Sequence, residues 1–471
     1  MHLRRADMNS LRDSIPTERI EACRKAREAM REKYYEIYRK ELGEEAEAAL
    51  RELLSLYNEE LYIWLAGLWE PEIGGFYHNE SGRRTEEMLP DIESTGQTLY
   101  FLEASGLTKG RALDDPEAFP ESFKASLVRF ALSLLDPDDG YFYHPQWGKN
   151  ITTSRRGRDL GWANGILNHF KVTPPYPTAI ERLASESDDD KTALPEHLTD
   201  IEKFKEYLAG LEINTRSYFV GNLLQAQSHQ IVAAGPQFVG ELLSWIEEHQ
   251  REDNGLWQES VNYDSVNGLM KIGLLHTTCK APIPKPDRAL ESTLTVALSD
   301  EPTTFVCQFY NPLVTLNNIL NSFIDLGRGE DEKRLRAKIR AMAPRLIRAT
   351  YEKVKGYRVE ENGSFDYDFN RRTSGVSQGM HVSLPGASNG GVNATCICAN
   401  GTLRGLFATL GVPRIPLFCN EDSDLFFELI KNAKVFPKDT PYPGDEVYYS
   451  KRPFFEDMKK WRAERLSKHK L

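Results

Sequence analysis

The sequence predicts an all-α protein built as a double ring, an (α/α)6 toroid of six inner and six outer helices with Gly-aromatic loops at its cavity mouth. Three observations lead there. Apolar residues recur at spacings of three and four in several long stretches, while alternating β-branched runs with hairpin turns are scarce. Between those stretches lie short helical segments that are rich in small residues and carry an amide where a core helix would carry leucine. A loop joining glycine to aromatic residues recurs along the chain, before such segments.

The first stretch, residues 16–70, reads as strongly helical, with Leu50, Leu53, Leu54, Tyr57, Leu61 and Leu65 on one stripe. Its charged lead-in, to about Glu47, reads as a solvated helix outside the main body. Further stripes occupy 121–135 (Phe123, Leu127, Phe130, Leu134), 238–247 (Phe238, Leu242, Trp245, Ile246) and 335–354 (Leu335, Ile339, Met342, Leu346, Ile347). Gly96, Asn164, Asn222, Asn267, Asn317 and Asn400 hold one place in the second kind of helix, at irregular separations. An inner helix touches neighbours nearly all round and needs small residues; an outer helix has one wet face and shows a clean stripe. The implied organisation is a helical extension (1–47), the toroid (48–412) and a C-terminal helix and tail packed on it (413–471). The polar ESDDDK segment, with Asp188, Asp189 and Asp190, reads as a linker.

The 471 residues carry 59 Lys and Arg against 70 Asp and Glu, a net charge of −11, which argues against a nucleic-acid or anionic-membrane partner. Hydrophobic residues make up 40%, enough for a folded core. The six cysteines form no CxxC pair and read as small buried residues. No apolar run spans a bilayer and the start lacks a hydrophobic signal core, so a cytoplasmic protein is expected. No zinc or phosphate-binding motif occurs, and neither metal nor cofactor is expected.

The candidate chemistry lies in the loops. PEIGGFYHN (71–79), DPDDGYFYHPQW (136–147), EDNGLWQES (252–260) and ENGSFDYDF (361–369) each set a turn before aromatic and polar side chains. Rings stack on sugar faces and polar neighbours bind hydroxyls, so Tyr143, Trp147, Trp162, Trp257 and Tyr263 are the expected walls. Asp91 and Asp159 stand five residues before Gly96 and Asn164; Glu93 and Asp264 stand three before Gly96 and Asn267. These carboxyls are expected at inner-helix starts, two of them serving as acid and base, with His144 and His381 also at the mouth. Arg155, Arg156 and Arg371 are the expected ligands of a substrate carboxylate.

The runs DIESTGQTLYFLEASGL and NGLWQESVNYDSVNGLMKIGLL resemble the turn-then-inner-helix repeat of the α/α-toroid proteins, over roughly residues 48–412. Two groups share that pattern: six-hairpin glycosidases with their epimerase and lyase relatives, and terpenoid cyclases with protein prenyltransferases. FDYDFN lacks the adjacent second Asp of the cyclase DxDD motif, and the Asp/Cys/His zinc set of prenyltransferases has no match. The resemblance therefore implies a carbohydrate-active enzyme, a glycoside hydrolase on uronate-containing oligosaccharides. Toroid lyases use Asn, His, Tyr and Arg instead, a set that Asn164, His144, Tyr143 and Arg155 would supply. A terpenoid cyclase- or prenyltransferase-like toroid and a non-catalytic scaffold with a plugged cavity are the remaining alternatives.

Overall fold

The computed structural model describes residues 11–85, 88–185, 195–324, 326–369, 375–383 and 390–435. They are mostly helical, and strands among them are confined to two short antiparallel pairs, β1 (Trp69–Glu70) with β2 (Gly75–Phe76) and β3 (Val376–Ser377) with β4 (Met380–His381). Among the described residues no helix is long and apolar enough to cross a membrane.

The N-terminal stretch is three helices rather than one: α1 (Thr17–Leu42), α2 (Glu44–Ser55) and α3 (Glu59–Gly67). Gly43 at φ 91° breaks the first join, and the Asn58 side chain caps α3 by accepting from the Glu60 amide. The expected stripe from Leu50 to Leu65 is buried throughout. A short α4 (Glu80–Arg84) leads to α5 (Ile92–Ser105), then α6 (Glu121–Leu134) and α7 (Thr153–His169). Next come α8 (Ala179–Ser185), α9 (Ile201–Ala209), α10 (Ser217–Ala226), α11 (Ser228–Ala234), α12 (Pro236–His249), α13 (Tyr263–Thr278), α14 (Pro286–Leu298) and α15 (Cys307–Ile324). The stripe expected at 335–354 divides into α16 (Gly329–Ala341) and α17 (Ala343–Lys355), because Pro344 starts a new helix after Met342. The chain closes with α18 (Val392–Thr395), a π-helical turn (Cys396–Gly401), α19 (Thr402–Leu410) and α20 (Asn420–Lys431).

The six amide-pattern positions all fall on helices: α5, α7, α10, α13, α15 and the π turn. These helices pack on one another in series. α10 lies on α13, α13 on α15, α15 on α19, the π turn on α5, and α5 on α7. Between α7 and α10 no comparable face forms among the described residues. Of the striped helices, α6 lies on α7, α16 on α15 and α19, and α17 between α14 and α2, whereas α12 packs on α9 and α11 instead of on the series; α14 lies on α13 and α15.

Small residues are what bring the series close. A Cβ at Gly268 would lie 2.1 Å from Ser217 Oγ, and one at Gly96 would lie 2.5 Å from the Trp162 ring. One hydrophobic core extends from Ile15 through to Ile430, so α1 and α20 share it with the rest. Tyr38 on α1 is fully buried, stacked on Phe407 of α19, which places the expected solvated lead-in partly inside the core.

Candidate functional site

The four Gly-aromatic loops are one hairpin used four times. Gly74, Gly140, Gly255 and Gly363 all have φ between 67° and 88°. Each donates its amide to the carbonyl four residues earlier, on Glu70, Asp136, Arg251 and Val359 respectively. Only glycine takes that left-handed conformation without strain. Two residues later stands an aromatic ring, Phe76, Phe142, Trp257 or Phe365, each at most 1% exposed. The repeat is real, but its first ring is a core plug. Trp257, expected to stack on sugar, is one of these plugs, and its indole donates to the Ile246 carbonyl at 2.9 Å.

Two of the hairpins bring most of the expected residues to the α5–α7 junction. Asp91 is the N-cap of α5, accepting from the Ser94 amide at 3.0 Å. Glu93 follows in the first turn. Helix α7 begins earlier than expected, because Thr152 caps it by accepting from the Arg155 amide at 3.0 Å. Arg155 and Arg156 therefore sit in the first turn rather than in a loop, and Asp159 lies inside the helix rather than at its start.

Arg155 is the hub. Its guanidinium is fully buried and reaches Asp91 Oδ1 at 3.1 Å, Glu93 Oε2 at 3.1 Å and Asp159 Oδ1 at 2.9 Å. It stacks over the Trp147 ring, 4.3 Å from its centroid. Glu93 also pairs with Arg158, and accepts from Ser377 Oγ at 2.7 Å and Gln97 Nε2 at 3.2 Å. Arg155 was expected to hold a substrate carboxylate; its donors are turned to the chain's own acids instead.

Three carboxyls meet two guanidiniums, so one carboxyl lacks a full countercharge. Asp159 is that one. Its contact with Arg155 is an ion pair off the hydrogen-bonding direction, and neither of its buried oxygens has a hydrogen-bond partner. Burial pushes its pKa up to about 7, helped by Asp91 and Glu93 and opposed by Arg155. Asp91 goes the other way. Burial opposes its charge, but Arg155, His78 and the Ser94 hydrogen bonds hold it below the usual carboxylate range. His78 is fully buried and held low by desolvation; Nδ1 lies 3.2 Å from Ser94 Oγ and Nε2 is without a hydrogen bond.

The remaining expected residues divide. His144 packs on Trp147 with ring centroids 4.4 Å apart; its Nε2 lies 2.7 Å from the Pro90 carbonyl and its Nδ1 accepts from the Gln146 amide. Both nitrogens are thereby engaged with backbone, which makes it a positioning group. The His381 carbonyl accepts from Trp147 Nε1 at 3.2 Å. Trp162, half-buried, lies against Gly96 and edge-on to Tyr100. The Tyr143 hydroxyl donates to Asp139, and Arg156 stacks over Tyr141, so these contacts do not involve the three acids of the hub. Asp264 is exposed in the first turn of α13, and Tyr263 beside it accepts from Asn311; neither joins the cluster. Arg371 and the acids Asp188, Asp189 and Asp190 lie outside the described residues.

Arg158, expected as part of the basic cluster of Arg155 and Arg156, completes the shell of Glu93 together with Ser377 and Gln97, which the sequence does not single out. The π turn Cys396–Gly401 sets Asn400 Oδ1 in a buried place without a partner, as are Asn164 Nδ2 on α7 and Gln97 Oε1 on α5. A π turn inside a helix often marks a functional position, but nothing in CICANG announces it. A cavity of about 550 Å³ lined by Arg345, Arg348 and Lys353 lies elsewhere, and none of the four expected acids borders it. Comparison of the chain with protein-family models, curated proteins and solved structures finds no match in any of the three.

Proposed function

We propose that the chain is a carbohydrate-active enzyme, a glycoside hydrolase, whose six amide-bearing helices form the inner ring of an (α/α)6 toroid and in which Asp159 is the proton donor. The observation that carries this reading is the carboxyl of Asp159, pushed up to about 7 with both oxygens unbonded, beside an Asp91 held ionised. A neutral carboxyl near pH 7 is what protonation of a glycosidic oxygen requires. Gln97, Asn164 and Asn400 offer unused amide acceptors and donors of the kind that bind sugar hydroxyls, with Trp162 and Tyr100 as stacking surfaces. His78, neutral and with a free Nε2, is the group on the same cluster able to take a proton. Engagement of His144 and Tyr143 within the chain favours hydrolysis over β-elimination.

The test is a screen of neutral, uronate and unsaturated-uronate oligosaccharides, following reducing ends and enoate absorbance together. Asp159→Asn is expected to lower kcat/KM by about 10²–10⁴ with the fold retained. The wild-type rate is expected to fall as pH rises through about 7, because the donor loses its proton. An undiminished rate in Asp159→Asn overturns the assignment, and new enoate absorbance replaces the hydrolase with a lyase. A second reading, a non-catalytic scaffold, is favoured by one observation: Asp91 caps its own helix while Arg155 holds all three acids. Absence of both oligosaccharide binding and turnover across the screen would select it.

A further inference from the structure

Buried polar atoms without a partner are few in a native fold, and each asks for an explanation. Several of those described above belong to the α5–α7 junction; His276 does not. It stands in the last turn of α13, thirteen residues and about 20 Å along the axis from Tyr263 at the helix start. Only 2% of the residue is exposed, and neither ring nitrogen makes a hydrogen bond. The carbonyls of Ala281 and Pro282 favour a proton on the ring, but burial outweighs them and lowers its pKa to about 4. The imidazole is therefore neutral at pH 7, with one N–H to donate and one lone pair to accept.

The ring borders open space. A cavity of about 310 Å³ has His276 in its wall. Around it stand Leu243 of α12, Phe323 of α15, and Pro282, Ile283, Pro284 and Pro286 from the run that leads into α14. The three prolines of APIPKP (281–286) carry no N–H, so this run has few donors to offer. It is also held in place. Gln250 Nε2 donates to the Pro284 carbonyl at 3.0 Å, Lys285 Nζ to the Gln250 carbonyl at 2.7 Å, and the Ile283 amide to Ser322 Oγ at 3.4 Å. Glu247 and Arg328, both exposed, bring opposite charges to the same cavity. Arg328 lies over Phe323 and donates to Asp331 at 2.9 Å. The larger cavity at Arg345, Arg348 and Lys353 has no unpartnered buried side-chain atom among its described lining residues.

We propose that the His276 cavity is a binding site for a small neutral ligand with an apolar body and one hydroxyl, which hydrogen-bonds the imidazole. Apolar walls around one convergent polar group, in a preformed space of a few hundred Å³, are the form of small-molecule sites. An anion would meet Glu247 and an uncharged ring, and a cation would meet Arg328, so neither sign of charge is favoured. A sugar would bring several hydroxyls to walls with one buried polar side chain and leave most of them unpaired. The site is separate from the acid cluster and does not depend on the function proposed above. The competing occupant is a water bonded to the ring.

The probe is phenol, titrated calorimetrically into the full chain, with toluene as its match lacking the hydroxyl. One saturable site is expected for phenol, with toluene about tenfold weaker. His276→Phe should weaken phenol to the affinity of toluene, because only the hydroxyl contact is lost. Leu243→Trp, at a half-buried position on α12, should abolish binding of both by filling the cavity. Circular dichroism checks the folds, and Leu243→Trp remains informative if His276→Phe fails to fold. Absence of saturable phenol binding in the wild type leaves water as the partner of the ring and overturns the site. Phenol binding unchanged in Leu243→Trp overturns it equally. Equal wild-type affinity for phenol and toluene overturns the contact with His276.

Discussion

Two helix junctions in the same series are sealed by opposite means. At α10–α13 the backbones meet through Gly268 against Ser217 and Gly221 against Lys271 and Ile272, and the Lys271 amine lies over the Tyr218 ring rather than against a buried carboxylate. At α5–α7 the contact is Trp162 over Gly96 on one level and, a turn above, a buried arginine among three carboxyls. Dispersion and close packing suffice for the first. The second carries a desolvation cost that hydrophobic residues of similar volume would avoid. A structural need alone is met by the cheaper junction elsewhere in the fold, so the charged one points to a use for its polarity.

Breaking the charged junction should have the largest effect. Arg155→Met removes the one group that contacts Asp91, Glu93 and Asp159 together, leaving buried carboxyls with only Arg158 opposite them. A loss of about 3–5 kcal/mol is expected, read as a drop in the urea midpoint at pH 7. A loss under about 1 kcal/mol would mean that the acids find water, and that the junction is open. The glycine junction should break more gently. Gly268→Ala is expected to cost about 1–3 kcal/mol through overpacking, and adding Ser217→Gly should recover only part of it, since a Cβ would meet Ser217 Oγ at 2.1 Å and its Cβ at 2.7 Å but also its backbone carbon at 2.9 Å. Failure of the second change to compensate would show that backbone, not Ser217, limits the approach.

The two junctions also differ in how far the sequence discloses them. Stripes such as Phe238, Leu242, Trp245 and Ile246 were legible because a 3.6-residue period has one physical cause. The amide-pattern positions were legible as helices for the converse reason, small residues where leucine would stand, and Gly268 belongs to them. The start of α7 differs from the expected one because Thr152, a capping residue, begins the helix ahead of the more conspicuous arginines. Arg155 as an internal hub was not legible at all. Which charges meet depends on how α5 and α7 cross, and pairing across 62 and 64 residues leaves no local pattern. The same holds for the loop aromatics: Gly-aromatic spacing revealed the repeated hairpin, but which ring turns inward is decided by the helices it plugs.

The smallest expected effect is the most selective, because it separates the junctions by pH rather than by size. Asp159 has a folded-state pKa of about 7, above the ordinary aspartate value of about 4. Between those limits the folded chain holds a proton that the unfolded chain has released, so its contribution to stability falls as pH rises from about 4 to about 7 and is level above. Asp91, held low, acts in the opposite sense and loses its contribution as pH falls through its depressed folded value. Asp159→Asn removes only the first term. Relative to the wild type it should therefore gain stability between pH 5 and pH 8. The full shift would correspond to at most about 4 kcal/mol, of which about 3 kcal/mol falls above pH 5, and relaxation around Arg155 should reduce the observed gain to about 1 kcal/mol. Urea midpoints of both proteins at the two pH values measure it, with Gly268→Ala as a control whose deficit should not vary with pH. A wild-type minus Asp159→Asn difference that is equally flat would mean that Asp159 is ionised at pH 5. The proton donor assigned to the site would then be absent.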